Sequence, residues 1–400
     1  RTRVFQDLRG PTGEPLAATP LRAEQSNTSI RFDERLILKL YRVLEAGENP
    51  DLEIGRFLTE RGFENVPAVA GHLEYRSADG TASTLAVLQA FVPNEGDLWA
   101  VTLDAVDAFY EAALAETEAP ALDEPTTGAL LEASRAEPPA AAHRLIGAYL
   151  DTARLLGERL GALHTVLASA PDDPAFAPEP MTPFHQRALY QSVRGTVREG
   201  LRLLERSRAA VPDRLRATAE AVLDAGRRLD ERLRPLVERP LGGTRIRCHG
   251  DFHAGQVLFT GRDVIIIDFE GEPARPLSER RLKRPALVDV AGMIRSFHYA
   301  AHHPLVARGE AVGGGEAERA KLAAWARFWY TAVAASFLRG YDETTRGAAF
   351  LPSDEASRAV LLDALLLAKA AYELRYELNN RPAWVEIPLL GLAEILGHRA

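Results

Sequence analysis

Residues 247–259 read Arg247-Cys248-His249-Gly250-Asp251-Phe252-His253-Ala254-Gly255-Gln256-Val257-Leu258-Phe259, and after a short turn come Val264-Ile265-Ile266-Ile267-Asp268-Phe269-Glu270. Two apolar, β-patterned runs flank that turn. The pattern predicts a loop, a β-hairpin and a second loop. Three polar side chains sit where loops would present them. They are Asp251, Gln256 five residues later, and Asp268 straight after the second apolar run.

Phosphoryl transfer asks little covalent chemistry of a protein. It needs an aligner or base for the acceptor hydroxyl, oxygen ligands for a cation, and positioned positive charge. Asp251 and Gln256 have the spacing of the base Asp and metal-binding Asn in the protein-kinase catalytic loop. Gln256 offers a neutral carbonyl oxygen acceptable to Mg²⁺, and Asp268 an anionic one, as the Asp of DFG does. The triplet here is Asp-Phe-Glu, which makes Glu270 a further acidic contact. His249, two residues before Asp251, is placed to brace the loop by hydrogen bonds. His249 and His253 lack a ligand set at zinc spacing. Singly, each residue could be a turn or surface residue; jointly they point to a kinase-like site.

Outward toward the N-terminus, residues 1–92 read as β-rich with one helix. Val4–Leu8 is a candidate first strand. Ser29–Phe32 and Arg35–Tyr41 form a candidate hairpin around Asp33-Glu34. The polar turn Glu24–Ser29 could offer N–H groups and hydroxyls to phosphate oxygens. Lys39 lies in the apolar run Leu36–Tyr41. There it either has a buried partner or faces solvent on an alternating strand. Asn49-Pro50 then opens a helix with acids in its first turn. Strand lysine followed by helix glutamate is the order of the kinase phosphate-gripping ion pair, with Glu53 the candidate and Asp51 the runner-up. Val66–Leu73 and Ala82–Val92 read as strands, and Pro93–Gly96 as a hinge.

Beyond the hinge the chain is helical: Asp97–Glu116, Arg144–Ala170, Phe184–Arg208, Pro212–Val237, a helix opening near Leu287, Glu316–Tyr341 and Asp354–Leu378. Residues 117–142 read as a mobile loop. His164 on an amphipathic helix is expected to be packed. The expectation is an α+β, bilobal, protein-kinase-like fold, with a small β-rich N-lobe (1–92) and a large, mainly α-helical C-lobe (93–400). The C-lobe holds the catalytic loop (247–270) and substrate-binding helices (287–400).

Bulk properties narrow the class. A formal charge of −8 argues against a nucleic-acid partner. The single cysteine, Cys248, suits a reducing, cytoplasmic setting. No apolar run approaches a membrane span, and no signal peptide is visible. Among 48 lysines and arginines, only Lys39, Lys283, Lys321 and Lys369 are lysines. Lys321 and Lys369, inside helical patterns, read as surface residues.

The stretch from His249 to Ala301 resembles bacterial maltokinases. So do Glu24–Ser29 (EQSNTS), Leu36–Arg42, Asn49–Leu58, Leu88–Trp99 and Tyr376–Leu389. The likeness covers nearly the whole chain. That family is similar to the aminoglycoside phosphotransferases. The resemblance implies ATP- and Mg²⁺-dependent phosphorylation of maltose at its anomeric hydroxyl, giving maltose 1-phosphate. It implies a trehalose synthase, fused or associated, as partner, and the non-Met start suits a domain excised from such a fusion. The family's N-terminal cap has little room ahead of Glu24. Carried over by position, Asp251 is the base, and Gln256 and Asp268 are metal ligands. Lys39 with Glu53 orients the phosphates, Ser26 and Asn27 cover them, and Gln89, Phe91 and Val92 hold the adenine. His253, Tyr372, Glu373, Tyr376, Glu377, Asn380 and Arg381 are expected to hold the sugar. Sugars favour planar bidentate partners and aromatic faces, and Tyr372, Tyr376 and Asn380 share one helical face. A packed face with a salt bridge is the other reading of that cluster. The competing functions are kinase of an aminoglycoside or amino alcohol, and a non-catalytic nucleotide-binding partner domain. The balance of Glu373 and Glu377 by Arg375 and Arg381 favours a neutral sugar.

Overall fold

A computed structural model describes residues 1–21, 27–116, 125–309 and 316–397, and within them the side chains of Ala210, 307–309, 316 and 317 are left aside. The N-terminal region is built on strands β1 (Ala18–Pro20), β2 (Asn27–Phe32), β3 (Leu36–Tyr41), β4 (Val69–Arg76) and β5 (Ala82–Ala90). They form an antiparallel sheet ordered β1-β2-β3-β5-β4. The hairpin turns at Asp33, whose φ of 49° suits an aspartate better than a branched residue.

Helix α1 (Pro50–Glu60) starts as its sequence demands. Asn49 Oδ1 accepts from Asp51 N at 2.9 Å, and proline occupies the first turn. It lies against the sheet, with Tyr41, Leu52, Val69 and Val87 forming a small core between them.

The helical region begins at α2 (Leu98–Leu114), capped by Asp97. Its other main helices are α3 (Tyr149–Leu167), α4 (Pro183–Arg206), α5 (Leu287–Gly309), α6 (Glu316–Thr344), α7 (Glu355–Asn380) and α8 (Glu386–Ile395). One large apolar core joins them, with Phe109, Phe297, Trp325, Trp329 and Phe337 at its centre. A second sheet links the two regions. Strand β6 (Gly96–Asp97) pairs with β7 (Val257–Phe259), which pairs with β8 (Val264–Ile266). Gly96 and Asp97 are thus hydrogen-bonded to the hairpin that follows Asp251.

Some expected elements differ. Val4–Leu8 is not a strand: Phe5–Arg9 forms a short helix, and Thr2 N bonds to Ala70 O at 2.9 Å on the edge strand β4. Within the loop expected over 117–142, a short helix covers Thr127–Ala133 and another, Ala140–Leu145, starts before residue 142, while 117–124 lie outside the described residues. Pro212–Val237 is not one helix but several short ones, interrupted after Gly226 and before Pro235. No helix among the described residues is long and apolar enough to cross a membrane.

Candidate active site

The loop before β7 is held from below by Asp289, in the first turn of α5. Its carboxylate accepts from His249 N (2.8 Å) and Gly250 N (2.9 Å). It also faces His164 Nε2 at 3.0 Å, whose Nδ1 meets the Tyr341 hydroxyl at 2.9 Å. His164 is therefore packed, as expected, but packed as a strut. Burial works against the charge on Asp289, yet His164, His249 and the Gly250 N–H hold its pKa below the usual carboxylate range. His249 Nε2 lies 2.9 Å from Ile267 O and its Nδ1 3.4 Å from Asp251 N. With one ring nitrogen against a carbonyl and the other against an N–H, the ring braces both loops.

A Cβ on Gly292 would collide with Phe252 O, so only a glycine lets α5 come this close to the loop. His253 caps the turn Ala254–Gln256, its Nδ1 accepting from Gly255 N at 3.1 Å.

Beyond β8, Asp268 takes φ = 66°, in the left-handed region. Its carboxylate meets Lys39 Nζ at 2.6 Å and takes a hydrogen bond from the Gln256 side chain. Glu270 also reaches Lys39 Nζ at 2.6 Å and accepts from Asn27 Nδ2 at 2.6 Å. Burial opposes ionisation of all three titrating groups. For Lys39, the carboxylates of Asp51, Asp268 and Glu270 prevail and hold its pKa well above the ordinary lysine value. Asp268 is kept low by Lys39 and His249, whereas Glu270 is raised by burial with Asp268 and Asp51 nearby. A hard divalent cation fits this donor set. Asp51, Asp268 and Glu270 bring carboxylate oxygens within 4.8 Å of one another, and the Gln256 amide is bonded to Asp268.

The expected Lys39–Glu53 pair is not formed. Asp51 takes its place, with Oδ2 3.3 Å from Lys39 Nζ and 2.9 Å from Tyr41 Oη, and Oδ1 3.0 Å from Phe269 N. Residues two apart on a helix point about 200° from each other, so both acids cannot face Lys39. Glu53 turns instead to the helical region, meeting Arg247 at 2.7 Å and Arg281 at 2.6 Å.

Gln89 lies in β5 opposite Ile37 and Val69. The Phe91 N–H is donated to Arg35 O at 2.9 Å, and Val92 O accepts from Asn94 Nδ2 at 2.8 Å. The Phe91 N–H is therefore already committed. Ser26 lies outside the described residues.

On the far side of Asp251 opens a cavity of about 880 Å³. His253, Tyr372, Glu373, Tyr376, Glu377, Asn380 and Arg381 all line it together with Asp251, and Trp99, Glu272 and Trp384 complete the wall. The acids are mostly answered. Glu373 meets Arg295 at 2.8 Å, and Glu377 meets Arg381 at 2.6 Å and Tyr299 at 3.1 Å. Glu272 accepts from the Tyr372 hydroxyl at 2.8 Å. The packed-face reading therefore holds for parts of Glu373 and Glu377, while Tyr376 is open to the cavity.

One lining residue was misread as a surface lysine. Lys369, in α7, places Nζ 3.1 Å from Asp251 Oδ1. Burial would raise the Asp251 pKa, but Lys369, His253 and His249 outweigh it and hold the carboxyl below the usual range. Burial likewise opposes charge on Lys369, and Asp251, Glu373 and Glu272 raise its pKa. His253 is pushed down, first by burial, so its ring is neutral at neutral pH.

A cluster of Lys, Asp and Gln, a buttressed loop aspartate and a large cavity beside it, on a kinase-like fold, are the arrangement expected of a phosphotransferase. The chain belongs to the phosphotransferase enzyme family, whose model matches residues 17–325. A glucosamine kinase of Streptacidiphilus jiangxiensis is 32% identical over 200 residues, covering 49% of this chain and 41% of that protein. The alignment thus spans less than half of that relative. A glucosamine kinase of Mycolicibacterium smegmatis is 25% identical over 377 residues, 94% of this chain and 79% of its own length. Among solved structures, a glucosamine kinase in complex with glucosamine, ADP and inorganic phosphate is 26% identical with a TM-score of 0.63, over 95% of this chain and 80% of that one.

Proposed function

We propose that the chain is an ATP-dependent sugar kinase, with maltose as acceptor and its anomeric hydroxyl as the phosphorylated group. The observation that carries the kinase reading is the position of Asp251. It lines the acceptor cavity, while Gln256, five residues on, is bonded to Asp268 beside Lys39. A hydroxyl presented from the cavity meets a carboxylate that is ionised at neutral pH and free to take its proton. Lys39, held by Asp51, faces the phosphates. Asp268, Gln256 and Glu270 would hold Mg²⁺, which when bound neutralises phosphate charge.

Maltose is supported by size and charge. The cavity of about 880 Å³, with Trp99, Tyr372, Tyr376 and Trp384 in its wall, exceeds the needs of one pyranose ring. Asp251, Glu373 and Glu377 already have cationic partners, which leaves little for a charged amino sugar to gain. A second reading, glucosamine, is favoured by Glu272, a further carboxylate in the cavity wall, and by the glucosamine kinases to which the chain is similar. On the maltose reading, a trehalose synthase, fused or associated, supplies the acceptor. The test is ADP release from ATP and Mg²⁺ with maltose, glucose and glucosamine, with the product read by ³¹P NMR. Maltose 1-phosphate is the expected product. Turnover of glucosamine alone would replace the acceptor assignment. ATP binding without any turnover would favour the non-catalytic partner-domain reading.

A further inference from the structure

Only four of the 48 lysines and arginines are lysines, and each ends on defined partners. Lys39 meets three carboxylates. Lys283 meets Pro174 O and Glu179, and Lys321 meets the carbonyls of Leu114 and Glu116. Lys369 differs in how much of its ammonium is left over. Among the described residues its hydrogen-bond partner is Asp251, at 3.1 Å. An ammonium has three donors, so two N–H groups remain. Its side chain is 27% exposed, and the residue lines the acceptor cavity. The Tyr372 ring lies beside it, 5.4 Å from Nζ to centroid.

We propose that Lys369 is a catalytic residue: its ammonium fixes Asp251 and, with its remaining N–H groups, meets the acceptor oxygen and the phosphoryl oxygens arriving there. This rests on the proposed kinase reading. In the step, a bond forms between the acceptor hydroxyl oxygen and the γ-phosphorus. The bond from that phosphorus to the β–γ bridging oxygen breaks, its electron pair leaves on ADP, and the hydroxyl proton passes to Asp251. Lys369 keeps its protons throughout.

The geometry favours a charge-stabilising role. Negative charge spreads over the equatorial oxygens of the transferring group, and a preorganised cation acts on it strongly where water is partly excluded. The other cations of the cavity wall are committed, Arg381 to Glu377 and Arg375 to Glu199. Lys39 is held on the opposite side by Asp51, Asp268 and Glu270. Position 369 also precedes Tyr372 and Glu373 by one turn of α7, and Tyr376 and Glu377 by two. The helix face that would grip the acceptor therefore also delivers the cation. The groups facing the pair are Glu373 and Glu272 toward Lys369, and His253 and His249 toward Asp251.

The test compares Lys369→Met, Lys369→Arg and Asp251→Asn in the full chain. For Lys369→Met, kcat should fall about 100-fold, with KM for ATP within about threefold of wild type. The acid limb of kcat/KM should move to higher pH, because Asp251 loses its ammonium. Lys369→Arg should keep the limb near its original pH but recover only part of kcat. A lysine that only braces the fold would lower the melting temperature and leave the limb in place. Lysine labelled with ¹³C at Cε gives a second readout that needs no turnover, since four resonances can be assigned. The Lys369 resonance should titrate at lower pH in Asp251→Asn, and should move when ADP, Mg²⁺ and aluminium fluoride are added to wild type. A Lys369→Met enzyme with near wild-type kcat and an unmoved limb overturns the proposal, as does a Lys369 resonance indifferent to both changes. A wild-type chain that phosphorylates no sugar fails the kinase reading instead, and the resonance arm still judges the pairing.

Discussion

Exchanging the expected roles of Glu53 and Asp51 leads to opposite mutant behaviour. Glu53→Gln removes the charge facing Arg247 and Arg281, and the Glu53 and Arg247 side chains are only 5% and 3% exposed. Removing one partner of a buried ion pair costs about 3–5 kcal/mol, because the other charge stays desolvated. With an unfolding entropy of roughly 2.1 cal/mol/K per residue over 400 residues, 1 kcal/mol is worth about 1.2 °C. Glu53→Gln should therefore lower the melting temperature by about 4–6 °C in calorimetry. KM for ATP should barely change at a temperature where the variant is folded. Asp51→Asn should act on the nucleotide instead. It weakens charged hydrogen bonds to Lys39 and the Phe269 N–H, each worth about 1.5–3 kcal/mol. Losing one of them lowers kcat/KM for ATP by about 10- to 150-fold. If Glu53→Gln keeps its melting temperature but loses ATP affinity, Glu53 is the phosphate-side carboxylate after all and the reassignment is wrong.

Gly292→Ala drives a methyl into Phe252 O, so the catalytic loop must shift. Turnover should fall about 10- to 100-fold through misplacement of Asp251, read by steady-state kinetics, while ATP binding by calorimetry holds. Asp289 sets a pH dependence. Its folded pKa is depressed, so its stabilisation is present above its unfolded value of about 3.9 and is lost as pH falls through the lower folded value. Melting temperature followed from pH 7 to pH 3 should drop mainly below about pH 4. In Asp289→Asn it should start lower and fall less, because an amide nitrogen then faces an N–H donor. Equal acid slopes in both proteins would remove Asp289 from this role.

The hairpin after Asp251 and the capped helix at Asn49 were readable because their signals are local. Alternating apolar residues and a cap-plus-proline pair specify themselves. The choice between Asp51 and Glu53 was not readable. Both sit in the first turn of α1, and only the docking of that turn against Lys39 and the 268–270 loop decides which one faces inward. Lys369 was hidden for a related reason. It lies in Leu365-Leu366-Leu367-Ala368-Lys369-Ala370-Ala371, where a lysine on an apolar helix looks like the solvent edge of an amphipathic pattern. The sequence does not show that a cavity, not bulk water, adjoins that edge. Val4–Leu8 failed because a five-residue apolar pattern fits either period. The breaks in 212–237 were signalled by Gly226 and Pro235 but outweighed by a continuous run of helix formers.

Helix α7 carries Lys369 and the lining residues from Tyr372 to Asn380 on a single rigid rod. One inserted residue before Lys369 would rotate everything on its near side by about 100° and advance it about 1.5 Å. The ammonium would leave Asp251 and the aromatic rings would leave the cavity in the same event. A loop-built pocket tolerates length changes and can explore new ligands by them. Here the acceptor preference can drift only by exchanging side chains in place, so relatives with different acceptors should keep the spacing between the lysine and the tyrosines fixed while the chemistry between them changes.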